Sequence, residues 1–136
     1  MGNADIASRD DIRNLLIAFY TTAFQDDLLG TIFVDIAQMD LEAHLPVMCD
    51  FWETVLFRNG MYRGNAFIPH ADLHAKVALT WPLFERWLEI WRATVDDLFA
   101  GPNAERAKVQ ATNIATSIHH RLTIKVPASR VHLRPA

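Results

Sequence analysis

His44 and His70 are the residues of this chain best suited to chemistry. His44 lies inside the run Leu41–Phe57, on the apolar stripe of a predicted helix, where an unpaired imidazole would be costly. His70 follows Tyr62-Arg63-Gly64-Asn65, where that helix has ended and another begins. Two imidazoles flanked by aromatic helices can face one flat metal cofactor from opposite sides, and the pair suggests a haem pocket. Taken alone, His70 reads more simply as a surface histidine at a helix start. His74, four residues on, shares its predicted helical face and is a rival for the same role. A zinc reading of this His-x-x-x-His pair is weak: no Glu follows the first His and no third ligand is evident.

Other inward-facing donors carry the same ambiguity. Tyr20 lies beside Phe19 on an apolar face, and its hydroxyl needs a partner if buried. Trp87 presents an apolar body with one N–H donor. One such residue reads as core; donors aimed inward from three helices, counting His44, are harder to dismiss. Met48, one turn after His44, reads as a wall rather than an iron ligand. Cys49 is expected to point away from that stripe as an inert thiol, and His119-His120 to be solvated.

These side chains need helices to hold them. Ser8 followed by Asp11 is a start signal, after which Ile12, Leu16, Phe19, Tyr20 and Ala23 recur at helical spacing. Gly30 is expected to end that segment or turn the chain, before a short apolar piece, Thr31 to Ile36. Asp40 can cap the next helix, whose stripe is Leu41, His44, Leu45, Met48, Phe51, Trp52, Val55 and Leu56, interrupted by Pro46. Asn59-Gly60 is a stop. A short helix follows around His70 to Val77. Thr80-Trp81-Pro82 opens the strongest helix, with Phe84, Trp87, Leu88, Trp91, Val95, Leu98 and Phe99 at helical spacing. Gly101-Pro102 begins the last, with Ala107, Ala111, Ile114, Ala115, Ile118 and Leu122. Leu122–Val126 alternates like a strand but has no second strand to pair with. The pattern predicts an all-α domain over residues 1–126 and a flexible tail over 127–136.

Composition narrows the function classes. At 136 residues and 51% apolar, the chain can bury a real core. A net charge of −3 gives no basic footprint for nucleic acid. One cysteine excludes a disulfide framework within a monomer. The N-terminus lacks a signal-peptide pattern, and no apolar stretch is long enough to span a bilayer, so a cytoplasmic protein with no membrane partner is expected.

In order and spacing, these stretches resemble the truncated haemoglobins, specifically group III, over roughly residues 10 to 122. Phe19-Tyr20 with Leu29-Gly30-Thr31-Ile32-Phe33 looks like the family's first long helix and haem-edge phenylalanine. His44 followed by Phe51-Trp52 looks like its distal helix. Tyr62-Arg63-Gly64-Asn65 leading to His70 looks like its proximal loop and ligand, and Phe84-Glu85-Arg86-Trp87-Leu88 with Trp91 like its helix bearing the distal tryptophan. Ala66 departs from the pattern, where proline is common after Gly-Asn. The resemblance implies a two-over-two helical sandwich around haem b. In it His70 is the iron ligand, Tyr20, His44 and Trp87 line the distal side, and Met48 walls it. Phe33, Phe51, Trp52 and Trp91 lie against the macrocycle, while Tyr62, Arg63 and Lys76 are candidates for its propionates. The implied function is reversible binding of oxygen, nitric oxide or carbon monoxide. The alternative is nitric oxide dioxygenation or peroxide reduction with electrons from an external reductase, since the chain has no room for one of its own.

Overall fold

The computed structural model describes residues 3–58 and 67–125. Six α-helices and one π-helical segment lie among them, and no strand does. Helix α1 spans Arg9–Gln25. Its start is the one the sequence announces: the Asp11 N–H donates to Ser8 Oγ (3.2 Å), and the Asp11 carboxylate accepts from the Ala7 N–H (2.8 Å). Asp26, in extended backbone, ends it and caps the short α2, Asp27–Gly30, by accepting from the Leu28 and Leu29 N–H groups.

Gly30 does not end this segment. The chain continues in helical conformation into the π-helical Thr31–Ile36. Glycine is needed there for clearance: a Cβ on Gly30 would lie 2.5 Å from the Phe24 carbonyl oxygen. The turn expected at Gly30 comes instead at Gln38, with φ of 50°.

Helix α3 spans Leu41–Phe57, and Asp40 caps it by accepting from the Ala43 N–H. Pro46 sits inside without breaking it. Its ring nitrogen offers no bond to the preceding turn. The Arg9 guanidinium bridges this region, donating to the Pro46 carbonyl (3.2 Å) and pairing with Asp50 (2.7 Å) and Glu53. Arg58, left-handed at φ 57°, closes the helix, while Asn59-Gly60 lies outside the described residues.

Helix α4 spans Phe67–Lys76, starting earlier than expected, so His70 falls at the end of its first turn rather than at its start. Helix α5 spans Trp81–Leu98 with Pro82 in its first turn, and α6 spans Pro102–Lys125. The segment Leu122–Lys125 is helix, as the absence of a second strand implied. The expected tail lies outside the described residues.

Helix α1 packs on α3, and α5 on α6; α1 also meets α5, and α3 meets α6. The result is two helix pairs, one laid over the other. Their shared core contains Ile12, Leu16 and Phe19 of α1, Leu45, Trp52 and Leu56 of α3, and Leu88, Trp91 and Val95 of α5. Helix α6 contributes Ala104, Ala107, Ala111 and Ala115 at intervals of three and four. These small residues let its backbone come close to α5. The Trp91 indole N–H reaches the Ala107 carbonyl at 3.1 Å, so the most buried tryptophan has its one donor matched.

Candidate functional site

The sequence-predicted donors separate into two that the fold brings together and one that it does not. Phe19 of α1 sits between them: its ring meets Tyr20 at 4.8 Å and Trp87 of α5 at 5.6 Å, both edge-on. Such T-shaped pairs fix ring orientation as well as burying area. Phe33, delivered by the π-helical segment, meets Tyr20 edge-on at 5.6 Å and packs against Phe24 at 5.9 Å. Trp87 is stacked almost parallel on Trp91, which in turn stacks on Trp52 of α3 at 4.7 Å. Trp91 is only 1% exposed, and it backs Trp87 from within the core.

Tyr20 and Trp87 have no acceptor among the described groups for their O–H and N–H donors. Neither atom is sealed. Among the described residues, the one sealed side-chain polar atom without a partner is Nε2 of His74. Burial also pushes the Tyr20 phenol above its ordinary pKa, so it stays a protonated donor. Two neutral donors held by an aromatic frame therefore remain available to an acceptor that the described protein does not supply.

His44 is not with them. The expectation that its ring is buried on the α3 stripe is overturned: His44 is exposed, and its Nδ1–H donates to the Asp40 carbonyl at 2.8 Å. Cys49, expected to point away, is buried instead, and burial pushes its thiol pKa up. Both corrections have one cause. The stripe predicted from the sequence is broader than the face that meets α1 and α6. Leu45, Cys49, Trp52 and Leu56 form that buried face, and Met48, Phe51 and Val55 lie half-buried along its edge. His44 is beyond that edge in the first turn, where a backbone carbonyl is the nearest partner.

His70 is half-buried in the first turn of α4. His74 lies one turn further, 8% exposed, and accepts the Leu79 N–H on Nδ1 at 3.0 Å. That bond fixes its chemistry. Nδ1 carries the lone pair, so in the neutral ring the proton is on Nε2. An iron ligand needs the lone pair on the coordinating nitrogen, so this tautomer removes His74 as a rival to His70 through Nε2. Among the described residues no three His, Cys, Asp or Glu groups come together to hold a metal ion, whereas one axial imidazole needs no such cluster. Tyr62 and Arg63 lie outside the described residues, and Lys76 is exposed.

Sequence reasoning also missed His119, which packs on Trp81 (5.4 Å) and Phe84 (5.6 Å) instead of being solvated. An exposed recess of about 420 Å³ lies elsewhere, lined by Arg9, Arg13, Glu42, Leu45, Pro46 and Cys49. It contains none of the predicted site residues. No described helix is long and apolar enough to cross a membrane.

Two stacked helix pairs with an aromatic frame between them define a truncated globin fold. No family model matches the sequence, and no curated protein does. Among solved structures, the chain is similar to the crystal structure of group III truncated hemoglobin from Campylobacter jejuni, with a TM-score of 0.76 at 24% identity. The match covers 88% of this chain and 94% of that one. At that identity the likeness establishes the fold.

Proposed function

We propose that this chain binds haem b through His70 and holds diatomic ligands beside Tyr20 and Trp87. The observation that carries the reading is the pair of unmatched donors on either side of Phe19, neither of them sealed. The donor set fits the group: one half-buried imidazole on α4, and neutral hydrogen-bond donors on α1 and α5. The similarity to a solved truncated hemoglobin supports the same reading. Haem would supply an iron with one face open to oxygen, nitric oxide or carbon monoxide.

The chain's own part is orientation and retention. Tyr20 O–H and Trp87 N–H donate to whichever ligand atom gathers negative charge, and each such bond contributes about 1.5–3 kcal/mol. About 1.4 kcal/mol is tenfold in an equilibrium, so the two favour retention over easy release. Phe19, Phe33 and Trp91 hold the donors in place.

The test is spectroscopic. Purified protein supplied with haem should show ferric, ferrous and carbon monoxide spectra of an imidazole-ligated haem. His70→Ala should abolish stable axial ligation, and Tyr20→Phe should speed oxygen release by about tenfold or more. A His70→Ala protein with unaltered Soret band and haem affinity would assign the ligand elsewhere. An oxygen off-rate unmoved by Tyr20→Phe would take the hydroxyl away from the ligand.

A further inference from the structure

His74 has one ring nitrogen explained and one unexplained. Nδ1 accepts from the Leu79 N–H and ties the end of α4 to the segment leading into α5. A doubly protonated ring would set Nδ1–H against that N–H, donor to donor, so the ring is neutral with its proton on Nε2. That N–H is sealed from solvent and has no partner. Leaving a buried donor unmatched is costly, and native structures rarely tolerate it without a reason.

We propose that His74 Nε2–H is a cofactor-binding donor that takes a peripheral carboxylate of the macrocycle ligated at His70. The inference rests on the haem reading above. Residues four apart on a helix share a face, with Cβ atoms about 5–6 Å apart. A flat ring held axially by His70 extends past the next helical turn, so its rim comes over position 74. Haem b carries two propionates on that rim, and an ionised carboxylate is purely an acceptor. A neutral N–H meeting it forms a charge-assisted bond, stronger than one between neutral groups. Lys76, the other candidate on this helix, is exposed. The Nε2 atom is sealed in this structure, so the contact forms as the cofactor's rim displaces the side chains that close over it.

The experiment separates the rim from the ring. Wild type, His74→Asn and His74→Gln are loaded with haem and, separately, with haem dimethyl ester, whose carboxylates are capped. Loss to an excess of scavenging apo-globin is followed in the Soret region. Asn keeps an acceptor for the Leu79 N–H but withdraws the deep donor; Gln keeps a donor near the Nε2 position. His74→Asn should release haem about tenfold faster than wild type and the dimethyl ester at the wild-type rate. His74→Gln should restore at least part of the difference. Equal acceleration with both cofactors would show that the ring acts only through Leu79 and overturn the proposal, as would no acceleration with either. If wild type takes up neither cofactor, the haem reading itself fails, a result visible before any variant is compared.

Discussion

The two ends of the α1–α5 contact are built on opposite rules. At one end, Asp5 accepts from the backbone N–H groups of Asn103 (3.0 Å), Ala104 (2.8 Å) and Ile6 (2.9 Å), while the Asn103 amide donates to the Ile6 carbonyl (2.8 Å). The α6 N-terminus is thereby capped by a side chain nearly a hundred residues away in sequence, and Gly101 accepts a φ of 143° to let it in. At the other end, around Phe19, Tyr20 and Trp87 keep donors that no described group accepts. A fold that satisfies its polar groups so fully at one end has not left them unmatched at the other for want of capacity. The closed end holds the helices together; the open end leaves the Tyr20 and Trp87 donors without a described acceptor.

Substitutions should therefore be costly for folding at and behind the closed end and cheap at the open one. The largest effect is expected in the core that both ends share. Trp91→Ala removes a ring stacked on Trp52 and Trp87 together with its bond to Ala107, and should destabilise by about 3–5 kcal/mol in urea unfolding. Gly101→Ala forces a side chain into left-handed backbone and sets its Cβ 2.5 Å from the Asp5 carboxyl carbon. It should cost about 1–3 kcal/mol, and a variant as stable as wild type would mean the closed end is slack. Asp5→Ala should cost about 0.5–2 kcal/mol through the lost cap.

The same carboxylate gives the closed end a pH signature. Burial pushes the Asp5 pKa up, but the Asn103, Ala104 and Ile6 N–H donors outweigh it and hold the pKa below the ordinary value. Asp26, at the opposite end of α1, is held low as well, first by its bond to Arg86. A folded pKa below the unfolded one means that stability is complete above the ordinary carboxylate range. It erodes as pH falls through the lower folded values. Asp5→Ala should flatten that acid limb of the stability–pH curve; a limb of unchanged slope would assign it to other groups. The smallest effect belongs to the open end. Tyr20→Phe deletes a hydroxyl with no described partner, and should shift unfolding by no more than about 0.5 kcal/mol. A large loss there would reveal a structural bond and erase the contrast.

Much of the fold was legible because it is written in short-range chemistry. Ser8, Asp40 and Pro82 mark helix starts by rules that act within one turn, and the α5 stripe meets its neighbours almost as read. Two exceptions there are Leu98, which is exposed, and Ile90, which is buried. What was not legible depended on which neighbour arrives. On α3 the apolar band was wide enough to serve either edge, so His44 and Cys49 exchanged the roles expected of them. Gly30 is expected from the sequence to end the segment or turn the chain, whereas its missing Cβ answers to a backbone carbonyl on α1. The orphaned proton on His74 could not be read at all. It depends on a bond from Leu79, five residues away, that no periodicity encodes.

Gly30 carries an implication for mutational tolerance at the open end. Its missing Cβ sets how closely α2 lies on α1, three residues ahead of Phe33, whose edge touches the Tyr20 ring. Any larger residue at 30 must lift that segment and carry Phe33 away with it. A position with no functional group of its own thus acts as a spacer gauge, and a drift in its thickness is read out as the aim of a hydroxyl on another helix.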